Sequence, residues 1–335
     1  MKVLITGATG FIGKATVSAL ISRGHTVRCF VRESSDTSSL EETENVTIFT
    51  GSLFNDQDLR NAMNDCDALV HLASVYSFWE SSPASYDEVN INGTIQVMRA
   101  ASHSFLRHIV HISSAVVYGD ATPQPYNELT QYGKERFSQY ADSKFYGEKF
   151  AEKFMDEEGL PLTILQPVSV IGSGDTKSSG RQIQNYIRRV YPARAFLDAK
   201  ITYVSVNDVA DAIVRTLENP KTIGQRYIIG KEAITNHQYL KKIEEVSGVK
   251  LPKLVLPDWA ALFIAQAITI RANRTGNPPL WGFTIDMAKT FQAGFEADGS
   301  RAEKELGLVY TPVMETLEES IRWHMAQNPK RKSSS

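Results

Sequence analysis

Tyr140 and Lys144 stand four residues apart in the run YADSK (140 to 144), and on a helix that spacing places one side chain above the other on a single face. An ammonium beside a phenol favours the phenolate and lowers a pKa of ~10, which brings the tyrosine toward acid–base work near neutral pH. A solvated helix face would use the same spacing. The second constellation opens the chain. In MKVLITGATGFIGKATVSALISRGHTVRCFVRESSD, three glycines, Gly7, Gly10 and Gly13, separate two apolar runs. Where a strand turns into a helix, positive φ or close approach of a ligand excludes a Cβ, as Gly7 and Gly10 would allow, and Gly13 lets the helix lie close on the sheet. The helix amides and dipole then face the carboxyl end of the strand, a site for a pyrophosphate. A tight strand-to-helix turn without a ligand would need the same glycines.

Short β-branched runs and amphipathic segments alternate around these residues. KVLITG precedes a helix over Lys14 to Arg23, TVRCFV precedes a Ser/Glu-rich loop, and VTIFTG precedes Asp56 to Asn64. ALVHLAS then leads to Tyr86 to Ser102, HIVHISS to a long insert and Ser138 to Glu158, and LTILQP follows. This order predicts an α/β chain with a doubly wound parallel sheet of the Rossmann type and a smaller C-terminal substrate lobe. The dinucleotide-binding domain is expected at 1–172 with returns from about 200–230, the substrate lobe mainly at 173–328, and a flexible tail at 329–335. Beyond Gly172 the pattern predicts a helix around Gln182 to Tyr191, strands at ITYVSV and QRYIIG, and helices near 208–218 and 236–247.

Composition narrows the partners. The 335 residues are 42% hydrophobic with a formal net charge of −2, and charges of both signs are mixed along the chain. No basic face for nucleic acid follows from this, so a small-molecule partner is expected. Cys29 and Cys66 are too few and too internal for a disulfide framework, which with the absence of a signal-peptide pattern points to the cytoplasm. The stretch LVLPDWAALFIAQAITI (Leu254 to Ile270) is interrupted by Pro257 and Asp258 and is shorter than the ~20 residues of a membrane span, so it reads as a buried or interfacial helix.

TGATGFIG (6 to 13) resembles the TGxxGxxG fingerprint of extended short-chain dehydrogenases/reductases, the NAD-dependent epimerase/dehydratase superfamily. HLAS (71 to 74), NINGT (90 to 94), ISSAVVYG (112 to 119), YADSK, QPVSVIGSGD (166 to 175) and YVSVNDVADAI (203 to 213) follow in that family's order, so the resemblance covers about residues 1 to 230. It implies that Tyr140 moves the proton of the substrate oxygen, that Lys144 holds the nicotinamide ribose and tunes Tyr140, and that Ser114 positions the carbonyl. It further implies cofactor contacts at Gly7, Thr9, Gly10, Phe11, Ile12, Gly13, Ser52, Leu53, Leu72, Ala73, Ser74, Tyr140, Lys144, Pro167 and Val170. Ser113 fits either a cofactor contact or a polar strand end. No metal is expected.

At the end of the second strand, where NAD enzymes of this fold carry an acid, the chain has Val31 and Arg32. Arg32 can fork onto a 2′-phosphate with Ser34 and Ser35 nearby, which favours NADP(H) over NAD(H). A ribose bound by Glu33 or Asp36 is the alternative. Ser52 stands where the family often has an aspartate. VRCFVR, YSFW and YADSKFYGEKFAEKF are similar to the dihydroflavonol reductase-like branch, including hopanoid-associated sugar-epimerase-like bacterial proteins. Nucleotide-sugar epimerases carry an Arg and an Asn around RPxNVYG, and Gln166, Pro167, Val168 and Ser169 replace that segment here. The expected function is therefore an NADP-dependent reduction of a ketone or aldehyde on a hydrophobic small molecule, or the reverse oxidation. Tyr76, Phe78 and Trp79, with the 254–270 stretch, would line an apolar pocket or else pack the lobe interface. The alternatives are an epimerase or dehydratase that retains its cofactor and a 3β-hydroxysteroid dehydrogenase-like enzyme. The resemblance leaves room for a homodimer.

Overall fold

Apolar runs too short to be helices form strands wherever both of their faces find cover. They are β1 (Lys2–Thr6), β2 (Thr26–Val31), β3 (Val46–Thr50), β4 (Ala68–His71), β5 (His108–Ile112), β6 (Leu162–Pro167), β7 (Ser169–Ile171), β8 (Lys200–Ser205), β9 (Arg226–Ile229) and β10 (Glu232–Thr235). The computed structural model describes residues 1–327. The tail expected at 329–335 lies outside the described residues.

Seven strands form one parallel sheet in the order β3-β2-β1-β4-β5-β6-β9, with Val3 opposite Val27 on one side and Ala68 on the other. The order reverses between β1 and β4. A crevice therefore opens at the carboxyl ends of those two strands, where a doubly wound sheet receives its ligand. Alternation along β1 feeds two cores: Val3 and Ile5 enter one cluster with Val27 and Val110, while Leu4 enters the other with Leu69, Ile109 and Ile164. Helices Phe11–Ser22 and Val206–Glu218 pack together on one face, and helices Asp56–Met63, Thr94–Ser102 and Gln139–Glu158 cover the opposite face.

The C-terminal lobe holds a three-stranded sheet, β10-β8-β7, and most of the remaining helices. The chain crosses between lobes more than once: β7 leaves the large sheet directly after β6, and β9 returns to pair with β6 through Leu165 and Tyr227. The helix expected around Gln182 to Tyr191 is placed earlier, at Ser178–Ile187, because Asp175 caps its start by accepting the Lys177 and Gly180 amides at 2.8 and 2.7 Å. Pro257 and Asp258 do not interrupt the apolar stretch. They begin the helix Asp258–Thr275, with Pro257 at the N-cap, where its fixed φ and missing N–H cost nothing. Its inner side buries Ala261, Ala265 and Ala272, yet Trp259 and Phe263 are 74% and 73% exposed, so the helix is only partly covered. Among the described residues no helix is long and apolar enough to cross a membrane.

Candidate active site

β1 delivers its last residue, Thr6, against β4, and the chain must then turn through a space already filled by the loop after β4. Gly7 has φ +77°, and a Cβ there would meet the Ala73 nitrogen at 2.7 Å. Gly13 is tighter still: a Cβ would sit 2.2 Å from the Gly7 carbonyl oxygen. Both clashes are with backbone, so only glycine closes this turn. Gly10 is the N-cap of helix Phe11–Ser22, which has neither a side-chain cap nor an acidic residue in its first turn. The first-turn amides therefore face a cleft of about 610 Å³ with their hydrogen-bonding capacity unspent. A cradle of this kind suits a diphosphate, and the residues present fit a dinucleotide cofactor.

Two elements converge on the far wall of the cleft. β5 ends in Ser113 and Ser114, and the Ser114 hydroxyl accepts the Val116 amide at 3.4 Å as N-cap of the turn Ala115–Tyr118. Ser138 caps helix Gln139–Glu158 by accepting the Ala141 amide at 3.1 Å, and this sets Tyr140 and Lys144 on the face toward β5. Tyr140 is 9% exposed and Lys144 5%. Burial raises the Tyr140 phenol above its usual range, the Tyr76 phenol pushes in the same direction, and a hydrogen bond from the Ser114 side chain opposes them. Tyr76 also meets Tyr140 edge to face at 5.0 Å. Burial lowers the Lys144 ammonium to about 8, with Glu148 pulling the other way.

The expectation that Lys144 lowers the Tyr140 pKa is not met in this geometry. The Lys144 Nζ donates to the Ile112 carbonyl at 2.7 Å, and desolvation of the phenol outweighs the help it receives. Beneath the pair, His71 and His111 stack at 5.4 Å. Burial and the Lys144 charge hold His71 down to about 3 and His111 well below its usual value. Both imidazoles are neutral, so the floor of the site carries no second cation.

The cleft is lined by the glycine loop from Thr9 to Gly13 with Gly7, by Leu72 and Ser74, by Ser113, Ser114, Tyr140 and Lys144, and by Pro167 and Val170. Tyr76 and Phe78 form its apolar wall. Other expected contacts stand apart. Ala73 lies behind Gly7, where its amide donates to Thr6 Oγ1 at 3.3 Å. Trp79 turns toward the C-terminal lobe, its indole donating to Asn273 Oδ1 at 2.8 Å, because helix Asp258–Thr275 offers that acceptor. The 254–270 stretch likewise borders a different cavity, through Leu254, Leu256, Ala261 and Ile264. Arg32, Ser52 and Leu53 lie outside the cleft lining. Arg32 is exposed after β2, and Leu53 packs under the second core. The loop that lacks the family's aspartate nevertheless meets a carboxylate, since the Ser52 amide donates to Asp58 Oδ2 at 3.0 Å from the next helix.

Three features escaped sequence reasoning. Lys14 follows Gly13 in the cleft lining, and its charge helps to lower the Asp36 carboxyl in the loop after β2. Asn90 ties the loop after β4 to the tyrosine helix: its Oδ1 accepts from Ser74 Oγ at 2.9 Å and the Val75 amide at 2.8 Å, and its Nδ2 donates to Ser143 Oγ at 2.8 Å. The motif NINGT held the signal. Third, Gln166 is fully buried and points away from the cleft, its amide donating to both Glu148 carboxylate oxygens at 2.9 Å, with Tyr132 and Arg226 on the same carboxylate. Replacement of an arginine at position 166 therefore speaks about this buried network. It is no argument against a diphosphate in the cleft.

Comparison with known proteins supplies relatives. Residues 3–230 match the family model described as NAD dependent epimerase/dehydratase family. A Synechocystis sp. relative named for dihydroflavonol 4-reductase is 28% identical, over 95% of this chain and 93% of its own length. Sterol demethylase protein B of Methylococcus capsulatus is 30% identical, over 96% and 98%. UDP-glucuronic acid 4-epimerase from Bacillus cereus, solved in complex with UDP-glucuronic acid and NAD, shares the fold at a TM-score of 0.78 and 22% identity, covering 98% of this chain and 100% of its own.

Proposed function

The chain belongs to the NAD dependent epimerase/dehydratase family, and from that membership we propose that it is an NADP(H)-dependent oxidoreductase interconverting the carbonyl and alcohol of an apolar small molecule. The observation that carries the reading is the meeting of Ser114, Tyr140 and Lys144 in the glycine-loop cleft, beside an apolar wall of Tyr76 and Phe78.

The nicotinamide supplies and accepts the hydride when bound. The protein does the rest. First-turn amides of helix Phe11–Ser22 would hold the diphosphate, and Lys14 and Arg32 would offer positive charge to a 2′-phosphate. Ser114 donates to the substrate oxygen and orients the carbonyl. Tyr140 Oη gives its proton to that oxygen as the carbon accepts hydride, which completes the C–H and O–H bonds of the alcohol. A phenol raised by burial is fully protonated at neutral pH, as an acid must be before it donates. Lys144 positions the ribose, and the hydrogen bond from Ser114 favours the phenolate left behind. In the reverse direction the same phenolate takes the proton.

An epimerase would use the same groups but return the hydride to its own product. The wall supports the first reading, since Phe78, Ile201 and Phe295 offer a sugar no hydrogen bonds, while Ser169, Thr176, Lys177 and Gln182 give the cleft its polar side. Absorbance at 340 nm decides. Net NADPH oxidation with an apolar aldehyde or ketone supports the reductase, and nucleotide-sugar interconversion without net change at 340 nm sinks it.

A further inference from the structure

The helix Asp258–Thr275 has an apolar outer side that the rest of the chain leaves uncovered. Its buried residues are Ala261, Ala265 and Ala272, and on the opposite side stand Trp259, Phe263 and Ile270. Spacings of four and seven residues put those three in one line along the helix. Trp259 and Phe263, one turn apart, are 74% and 73% exposed, and Ile270 is exposed with them. Leu254 and Val255, just before the helix, are exposed too. A helix that is apolar all round is ordinarily buried all round, and contiguous exposed apolar area marks a place where something docks. The element that presents it is anchored, because the Trp79 indole donates to Asn273 Oδ1 at 2.8 Å and ties the last turns to the first lobe.

Charge says what kind of partner fits. From Lys250 to Arg274 the charged residues are Lys250, Lys253, Asp258, Arg271 and Arg274, four cations against one anion, in a chain whose formal net charge is −2. All five are exposed. None of the four cations takes part in an ion pair among the described residues. Lys250 and Lys253 precede the apolar stripe, and Arg274, four residues beyond Ile270, continues its line at the other end.

We propose that this stripe docks the protein on the surface of an anionic lipid bilayer. Trp259, Phe263 and Ile270 would sit at the boundary between head groups and acyl chains, where aromatic rings are favoured, and the four cations would face the lipid phosphates. The helix would lie along the surface, since among the described residues no helix is long and apolar enough to cross. A second copy of this chain is served less well. A stable interface takes about 20–30 residues from each side, far more than this stripe offers, and a symmetric pairing would bring four cations toward four others. The proposal is independent of the reaction in the cleft.

Co-sedimentation of the full-length protein with vesicles tests it, using phosphatidylcholine alone and a two-to-one mixture with phosphatidylserine. The mixed vesicles should bind the protein about ten-fold more tightly at low salt, and the difference should shrink as salt is raised. Trp259→Ser combined with Phe263→Ser should weaken binding to both vesicles by about 50-fold, and Arg271→Gln combined with Arg274→Gln should lower it by about ten-fold on the mixed vesicles alone. These side chains are exposed, so Tm and NADPH affinity should stay at their wild-type values. Brominated lipid should quench the tryptophan fluorescence of the wild-type protein, a readout that needs no variant. Wild-type protein left in the supernatant of mixed vesicles, equal affinity for the two vesicles, absent quenching, or binding that survives the Trp259 and Phe263 substitutions would overturn the docking. A wild-type dimer that the same two substitutions turn into a monomer, with no vesicle binding, would assign the stripe to a second copy and overturn it as well. None of these readouts uses turnover, so the docking and the oxidoreductase reading stand or fall separately.

Discussion

Gly13→Ala is expected to damage cofactor binding and stability together, and the size of the effect follows from the turn. A Cβ at Gly13 would lie 2.2 Å from the Gly7 oxygen and 2.8 Å from both Ala8 C and Ala8 Cα. Ordinary contact begins at about 3.4 Å, so the loop or the helix must move by roughly 1 Å. The helix cannot yield easily, because Thr16, Val17 and Leu20 are buried on the same side. The loop moves instead, and it carries the amides that face the cleft. Overpacking of this kind costs ~1–3 kcal/mol, which corresponds to about a 5- to 150-fold loss of NADPH affinity if the strain falls on the bound geometry, with a Tm lower by a few degrees. Gly10→Ala is the control, since its Cβ would come only to 3.2 Å of the Gly7 oxygen, and its effect should be several-fold smaller. NADPH titration by intrinsic fluorescence and thermal melts measure both variants. Wild-type affinity and Tm in Gly13→Ala, or a larger loss in Gly10→Ala, would refute the reasoning.

Arg32→Ala should weaken NADPH by about ten-fold while leaving NADH unchanged, and equal losses for both would remove the assignment of Arg32 to the 2′-phosphate. Burial lowers Lys144 to about 8, so between pH 8 and the ordinary lysine value the unfolded chain binds the proton that the folded chain has lost. Stability should therefore rise with pH across that window relative to Lys144→Met, by up to ~3 kcal/mol, and parallel melting curves for the two proteins would contradict it. Gln166→Leu removes an amide from the buried Glu148 carboxylate and should cost ~1–3 kcal/mol of stability with kcat of the folded enzyme unchanged, whereas a loss of kcat alone would place Gln166 in the chemistry.

What could be read from the sequence was what local spacing encodes. Gly7, Gly10 and Gly13 announce a strand-to-helix turn, and the alternation of β1 through β6 with helices announces a doubly wound parallel sheet. Ser114, Tyr140 and Lys144 were legible because each closes or opens an element at a motif. What escaped depends on partners distant in sequence. The Lys144 head group turns to a carbonyl 32 residues away, and Trp79 finds an acceptor 194 residues on, so neither orientation is written in its neighbourhood. Gln166 stands where the family's epimerases carry an arginine, but β6 points it at Glu148 of the tyrosine helix, and strand register rather than motif decides that. The stretch from Leu254 looks interrupted at Pro257, and only the preference of proline for a helix start makes that residue a beginning instead of a break.

The central claim is that Tyr140 gives its proton to a substrate oxygen held by Ser114, and Tyr140→Phe tests it most directly. With an apolar carbonyl substrate, single-turnover NADPH oxidation by Tyr140→Phe should be slower by something like the 10²- to 10⁴-fold typical of a lost general acid, while NADPH affinity stays within about two-fold of wild type. A variant that oxidises NADPH at near wild-type rate would show that the phenol is only packing against Tyr76, and the proton relay would have to be withdrawn.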